Sequence, residues 1–184
     1  EEVLLLKADH MDALHQLQRL LEDAAKWEDL AEAIERELRL LGDEDTARLS
    51  IQHRRLGTLW RDVLDDPMQS QRHWERVLQL EEGDREALDS LRDVYRDNGA
   101  VEPLAKILEE LVTCTDDEAE LQQDWWTELA GLRQGPLSQS HGAIDAWEKV
   151  LGLDPANADA LDQLEMLHSE LGQWQDAIAI IRRK

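Results

Sequence analysis

The side chains in this sequence that could do chemistry are its histidines, its single cysteine and its many carboxylates. The histidines are His10, His15, His53, His73, His141 and His168. No two of them are four residues apart, as a helical ligand pair would require, and none has zinc-site spacing. Cys114 has acidic neighbours, among them Asp116, Asp117 and Glu118, but no second thiol. These patterns predict neither a metal site nor a cofactor.

Carboxylate catalysis is the remaining chemical option, with acidic pairs such as Asp65-Asp66 as its candidates. General acid–base work needs two convergent, desolvated carboxyl groups whose pKa values are separated. In a chain with 42 Asp and Glu residues, adjacent acids occur by chance. The sequence also lacks a phosphate-binding loop and a nucleophile elbow. We therefore expect no catalytic residue and predict that the protein is not an enzyme.

The charge of the chain narrows its expected partners. Its 184 residues include 42 acidic and 20 basic ones, which gives a formal net charge of −22. Nucleic acids and anionic membrane surfaces need a basic footprint, so neither is expected as a partner. An acidic surface favours a basic protein partner, although the same charge could serve solubility alone. No apolar run approaches the roughly 20 residues that span a bilayer.

The elements that position these side chains repeat along the chain. Leu14, Leu88 and Leu161 correspond, with offsets of 74 and 73 residues, and the segments around them align over most of their length. A unit of this length holds two helical hairpins, because a hairpin repeat typically has about 34 to 47 residues. Apolar residues recur at helical spacing, and breakers such as Asp66-Pro67, Gly99 and Gly172 fall between the apolar stretches. The predicted helices are 1–8, 11–24, 27–41, 46–63, 67–80, 85–97, 101–113, 117–133, 141–152, 158–171 and 174–184.

One helix of each unit carries a recognisable motif. Ala143, Trp147, Val150 and Pro155 are spaced as a small residue, an aromatic residue, a small apolar residue and a closing proline. This pattern resembles the second helix of a tetratricopeptide repeat (TPR). Tyr95 and Gly99 resemble the tyrosine and turn glycine of the same motif. The resemblance implies an all-α fold, a right-handed α-solenoid of stacked antiparallel helix hairpins; a generic α-solenoid of another class is the alternative.

The resemblance also implies where repeats begin and where hairpins cross. The expected hairpins are 11–44, 51–84, 85–118 and 124–157, preceded by a half repeat at 1–10 and followed by a truncated repeat at 158–184. Small residues are expected where the two helices of a hairpin cross, as with Thr58 and Ser70. Because neither end resembles a capping repeat, we interpret the chain as a segment of a longer array.

In the register of the family, first-helix side chains line a concave groove that binds partners. The expected groove residues are Gln52, Arg55, Leu59, Glu86, Asp89, Asp93, Trp125, Glu128, Leu132, Asp159, Asp162 and Met166. Trp125 and Trp126 are adjacent and point about 100° apart on a helix, so both are not expected on one narrow buried stripe. Trp125 is either the best candidate for a binding anchor or a core residue, since tryptophan is common in both roles. This wall is acidic and lacks the basic clamp that chaperone-binding members use for a carboxylate.

These expectations lead to a protein–protein interaction scaffold whose groove takes a basic, partly apolar segment of another protein. The alternative is a structural spacer, or a self-associating solenoid, that positions flanking domains without a groove ligand. The single cysteine favours the cytoplasm. Arginine outnumbers lysine, which is typical of a GC-rich genome and favours a bacterial source.

Overall fold

A computed structural model describes residues 11–115 and 118–184. The half repeat expected at 1–10, with His10, and the acidic pair Asp116-Asp117 lie outside the described residues. All regular structure in the described ranges is helical, which confirms the predicted all-α fold. The helices are α1 (Met11–Asp23), α2 (Trp27–Leu40), α3 (Thr46–Asp62), α4 (Pro67–Leu80), α5 (Arg85–Asp97), α6 (Val101–Cys114), α7 (Ala119–Gln134), α8 (Ser140–Leu153), α9 (Ala158–Glu170) and α10 (Trp174–Ile181).

The described residues divide into two compact units, a first unit that ends at Val94 and a second unit that begins at Tyr95. In the first unit α1 packs on α2, α2 on α3, and α3 on α4. Contacts run in opposite directions along paired helices, since His53 meets His73 while the later Gly57 meets the earlier Ser70. The pairs are therefore antiparallel hairpins, as short connections between helices favour.

Local sequence explains where the helices of the first unit begin. Asp66 caps α4, because its carboxylate accepts hydrogen bonds from the backbone N–H groups of Met68 and Gln69, both at 3.1 Å. Pro67 occupies the first turn, where its missing N–H costs nothing. The core between α2 and α3 is then built from the apolar faces of both helices: Leu30, Ala31, Ile34, Leu56 and Leu59.

The crossing of α3 and α4 depends on Gly57. The fully buried Trp74 indole lies against it, and a Cβ placed at Gly57 would be 2.7 Å from Trp74 Cε2. The Ser70 hydroxyl donates a 2.9 Å hydrogen bond to the Gly57 carbonyl. The close approach predicted for Thr58 with Ser70 is thus made one residue earlier, and Thr58 is left half-buried beside a cavity.

The second unit repeats this organisation in helices α6 to α10, where each helix packs on the next. Its main core lies between α7, α8 and α9 and includes Ala143, Trp147 and Val150, three residues of the repeat motif. Gly99 and Gly172 follow α5 and α9 with φ angles of 65° and 71°, the left-handed conformation that their positions predicted. The division of the chain into individual repeats stays a prediction.

Candidate functional site

A cavity of about 480 Å³ opens in the first unit between α2 and α3. We call it the α2–α3 groove. It is lined by Glu22, Trp27, Leu30, Ile34, Arg54, Arg55, Thr58, Leu59, Asp62, Val63 and Glu86. The structure therefore brings three of the predicted groove residues, Arg55, Leu59 and Glu86, into one cavity.

The floor of the α2–α3 groove is apolar. Leu30, Ile34 and Leu59 are buried core residues whose outer surfaces form the base, and Trp27 is half-buried at one side. Val63 also lines the groove, with 46% of its surface exposed. The contributions of α2 were missed by the sequence analysis, because the family register directs attention to first helices only. The apolar face of the helix that begins at Trp27 is the feature of the sequence that could have indicated this contribution.

The rim of the groove is charged and already paired. Arg54 donates hydrogen bonds to Asp84 at 2.9 and 2.5 Å, to Glu81 at 2.7 Å and to Glu86 at 3.0 Å. The hydrogen bond to Asp84 is the main cause that raises the pKa of Arg54. Arg55 donates to Gln18 at 3.0 Å and lies 3.7 Å from Glu22. A ligand at this rim thus meets a network of ion pairs rather than a row of isolated carboxylates.

The remaining predicted acids of the first unit lie on α5 and also face arginines. Asp89 accepts a hydrogen bond from Arg85 at 2.7 Å and lies 3.2 Å from Arg92. Asp93 is paired with Arg92 at 3.1 Å. Neither aspartate lines the α2–α3 groove. The acidic wall expected from the sequence is therefore compensated locally by arginines of the same helix.

The predicted site residues of the second unit differ in exposure. Glu128 accepts two hydrogen bonds from Arg96, at 2.8 and 2.7 Å, and Asp162 is bound by Lys184 at 2.6 Å. Leu132 is half-buried, while Asp159 and Met166 are exposed.

Trp125, one of the predicted groove residues, is buried in the structure. Only 2% of its surface is exposed, because its ring packs inside the second unit. Its neighbour Trp126 is half-buried and packs against the core around Trp147. Gln52, also expected in the groove, is buried in the first unit. The core alternative for Trp125 is the one that the structure supports.

Glu37 is a fully buried carboxylate that the sequence analysis did not single out. It accepts a 2.7 Å hydrogen bond from Gln18 and lies 3.0 Å from His15 Nε2 and 3.7 Å from Arg48. Burial raises the pKa of Glu37, but the hydrogen bonds with His15 and Gln18 and the charge of Arg48 outweigh it, so the pKa is lowered. These contacts satisfy the oxygens of the buried carboxylate and hold α1, α2 and the start of α3 together.

His53 and His73 form a pair that spacing along the sequence could not reveal. Their Nδ1 atoms are 3.0 Å apart across the α3–α4 hairpin. Within residues 11–115 and 118–184, no group of three or more His, Cys, Asp or Glu side chains is placed to hold a metal ion. In the same ranges no helix has both the length and the apolar character needed to cross a membrane.

Comparison with known proteins identifies solved structures that have a similar fold. No family model and no curated protein matches the chain. Among solved structures, the chain is similar to MamA, with 14% sequence identity, a TM-score of 0.51, and coverage of 90% of this chain and 91% of MamA. It is also similar to YrrB, a TPR protein with an unusual peptide-binding site, with 14% identity, a TM-score of 0.50, and coverage of 99% and 88%. These likenesses show that the chain has the TPR fold that its repeats predicted.

Proposed function

We propose that this protein is a non-enzymatic interaction scaffold that binds a segment of a partner protein in the α2–α3 groove. The observation that carries the proposal is a cavity whose apolar lining, buried Leu30, Ile34 and Leu59 with the partly exposed Trp27 and Val63, lies among charged side chains. Its volume of about 480 Å³ lies in the range of ligand-binding clefts, about 300 to 1,000 Å³. YrrB, which has the same fold, has a peptide-binding site. A shared fold alone does not transfer a function, so the proposal depends on the groove.

The groove favours one large aliphatic or aromatic side chain next to a basic residue. The apolar group would cover Leu59 and Val63 on the floor. The acids Glu22, Asp62 and Glu86 outnumber the arginines Arg54 and Arg55 along the walls, and the whole chain carries a net charge of −22. A basic residue would therefore approach a favourable potential, although the existing ion pairs limit how much each carboxylate contributes.

A second candidate function is a structural spacer without a groove ligand. The observation that favours it is the internal pairing of Glu86, Asp93 and Glu128 with arginines of the same unit. An acidic surface that is already compensated has less to offer a basic partner. The two functions differ in whether a change confined to the groove affects binding.

The experiment that separates them begins with a phage-displayed random peptide library selected on the whole chain. We expect enriched peptides to combine an aliphatic or aromatic residue with a neighbouring Lys or Arg. The best peptide is then measured by fluorescence anisotropy on Val63→Lys, which puts a charged side chain into the groove and repels basic ligands. The matched control is Met68→Lys, at a site of the same unit that is 77% exposed and does not line the groove.

Val63→Lys is expected to weaken binding at least tenfold, because it removes apolar contact and adds a like charge, each worth about 1 kcal/mol or more. Met68→Lys should leave the affinity within about twofold. Unchanged affinity in Val63→Lys would mean that the peptide binds elsewhere, and equal losses in both variants would mean that the added charge, not the groove, weakens binding. A library that yields no enriched peptide would support the spacer function.

A further inference from the structure

A second cavity of about 430 Å³ lies in the first unit, where α2, α3 and α4 meet. We call it the histidine pocket. It is lined by Glu35, Leu38, Arg39, His53, Arg72, His73, Glu75, Arg76 and Gln79. It shares no lining residue with the α2–α3 groove. Whatever binds here is therefore separable from the groove ligand by mutation.

The histidine pocket is basic in a chain that is otherwise strongly acidic. Three arginines face two glutamates around it, whereas the whole sequence has 42 acidic and 20 basic residues. Arg39 lies 3.7 Å from Glu35, and Glu75 accepts a hydrogen bond from Gln71 at 2.8 Å. Local charge at this pocket thus opposes the charge of the molecule.

Arg72 and Arg76 differ from most arginines of this protein. Within residues 11–115 and 118–184, neither of them forms an ion pair with a carboxylate, and Arg76 instead donates to the Gln79 amide oxygen at 2.8 Å. Arginines such as Arg54 and Arg92 are each bound to two or more acids. With acids in twofold excess, two neighbouring arginines without a carboxylate leave a place for an external anion.

The two imidazoles behind these arginines are neutral hydrogen-bonding groups. A hydrogen bond between two Nδ1 atoms requires one ring to carry its proton on Nδ1 and the other on Nε2. The Nε2 atom of His73 is buried without a hydrogen-bond partner among the described residues, and only 4% of the residue is exposed. Burial is the main cause that lowers the pKa of both histidines to about 4, and Arg72 adds to it in each case.

The positive charge of Arg72 and Arg76, which no described carboxylate pairs with, indicates what kind of group the histidine pocket would bind. An anion beside Arg72 and Arg76 would pair with both guanidinium groups. A polyanion such as nucleic acid is disfavoured, because the net charge of −22 repels it at longer range. A single anionic group on a neutral or basic segment avoids that repulsion. The Leu38 side chain offers an apolar surface for the stem of such a group.

We propose that the histidine pocket binds an oxyanionic side chain of a protein partner, a phosphorylated or carboxylate group held by Arg72 and Arg76 above the His53–His73 pair. The carboxylate group is planar and the phosphoryl group is tetrahedral, but both present oxygens that accept hydrogen bonds from guanidinium groups. A phosphoryl group carries more charge and one more acceptor oxygen than a carboxylate, so it is the tighter of the two.

The test uses two blocked amino acids, N-acetyl-O-phosphoserine amide and N-acetyl-glutamate amide, titrated into the whole chain in phosphate-free buffer at low salt. NMR spectra of the imidazole groups report binding at His53 and His73. We expect saturable shifts of these signals and a rise in the measured pKa of the histidines when either anion is bound, because a negative charge favours the protonated ring. Binding of only one probe supports the site and identifies the group. The neutral N-acetyl-serine amide should cause no shift.

The decisive variant is the double substitution Arg72→Gln and Arg76→Gln, which should weaken binding of the tighter probe at least tenfold. Its matched control is Arg182→Gln with Arg183→Gln, which removes the same charge from two exposed arginines of the second unit. Thermal unfolding followed by circular dichroism verifies that both variants are folded. The proposal is overturned if neither probe shifts the histidine signals, or if both double variants bind as the wild type does. It is equally overturned if the control loses as much affinity as the pocket variant.

Discussion

The contact between Gly57 and Trp74 gives a sharp prediction, because a second helical glycine serves as its control. Gly57 lies inside α3 and Gly131 inside α7. A Cβ at Gly57 would be 2.7 Å from Trp74 Cε2 and 2.8 Å from its Nε1, while a Cβ at Gly131 meets no described atom within 4 Å. The substitution Gly→Ala therefore adds the same methyl group to two helices but creates a clash in only one.

The expected magnitudes follow from two opposing effects. Alanine is favoured over glycine inside a helix by about 1 kcal/mol, so Gly131→Ala should stabilise the protein by up to about that amount. At Gly57 the same gain is opposed by overpacking, which costs about 1 to 3 kcal/mol in a well-packed core. Trp74 is completely buried, so its ring cannot move aside without displacing other core residues. Gly57→Ala should therefore be about 1 to 3 kcal/mol less stable than Gly131→Ala.

The assay is urea unfolding followed by far-UV circular dichroism, with the midpoint and the slope fitted for each variant. The intrinsic helix preference largely cancels in the comparison, so the difference between variants reports the clash. The double variant Gly57→Ala with Trp74→Phe should show a smaller penalty from the alanine than the single change does, because the smaller ring leaves room for the methyl group. If Gly57→Ala is as stable as Gly131→Ala, the close crossing of α3 and α4 does not exist as described.

Three further predictions concern buried groups. The free energy of unfolding should fall as the pH drops from about 6.5 towards about 4, because unfolded histidine is protonated near 6.5 while folded His53 and His73 resist protonation to about 4. The loss approaches about 3 kcal/mol for the more buried His73. Urea titrations across this range should show that the free energy of unfolding depends less on pH in the variant His53→Gln/His73→Gln than in the wild type. Glu37→Gln should cost about 1 to 3 kcal/mol at pH 7, the value of hydrogen bonds to a charged group. Because the pKa of Glu37 is lowered, its contribution to the free energy of unfolding is present above pH 4.5 and is lost as the pH falls below 4.5. If the difference in stability between the wild type and Glu37→Gln does not change across this range, Glu37 is not ionised as described. Trp125→Ala should destabilise the protein by about 3 to 5 kcal/mol, and Trp174→Ala, at an exposed site, by under about 0.5 kcal/mol. Thermal unfolding measures both losses, and comparable losses would mean that Trp125 is not in the core.

Much of the fold could be predicted because its determinants are local. The helix at Pro67–Leu80 was predicted with the observed bounds, since Asp66-Pro67 specifies where it begins and the apolar period specifies its length. Gly99 and Gly172 mark chain reversals that only a left-handed residue allows at low cost. The last helix runs from Trp174 to Ile181, and beyond it the N–H groups of Arg182 and Lys184 still donate to the carbonyl groups four residues earlier, as the apolar pattern to 184 predicted.

The candidate site was less predictable, because it depends on distances across helices. The register placed Arg55 and Leu59 beside a groove, but it could not show that α2 supplies much of the floor. The His53–His73 pair spans 20 residues, and the Arg96–Glu128 pair spans 32. Such pairs follow from how hairpins cross, and periodicity within one helix says nothing about them. Periodicity also cannot decide which of two adjacent tryptophans is buried, and Trp125 rather than Trp126 is.

The pairing of charges changes what the acidic composition means for recognition. Reversing Asp89 and Asp93 to lysine would first break their ion pairs with Arg92, so a loss of binding in that variant would not identify a ligand contact. Exposed pairs of this kind contribute about 0 to 1 kcal/mol each and leave little field at a distance. Binding in the α2–α3 groove should then depend weakly on salt and strongly on the apolar floor, while binding at Arg72 and Arg76 should weaken steeply with salt. Arg72 and Arg76 have no carboxylate partner among the described residues, so recognition at the histidine pocket should depend on charge more than recognition in the α2–α3 groove does.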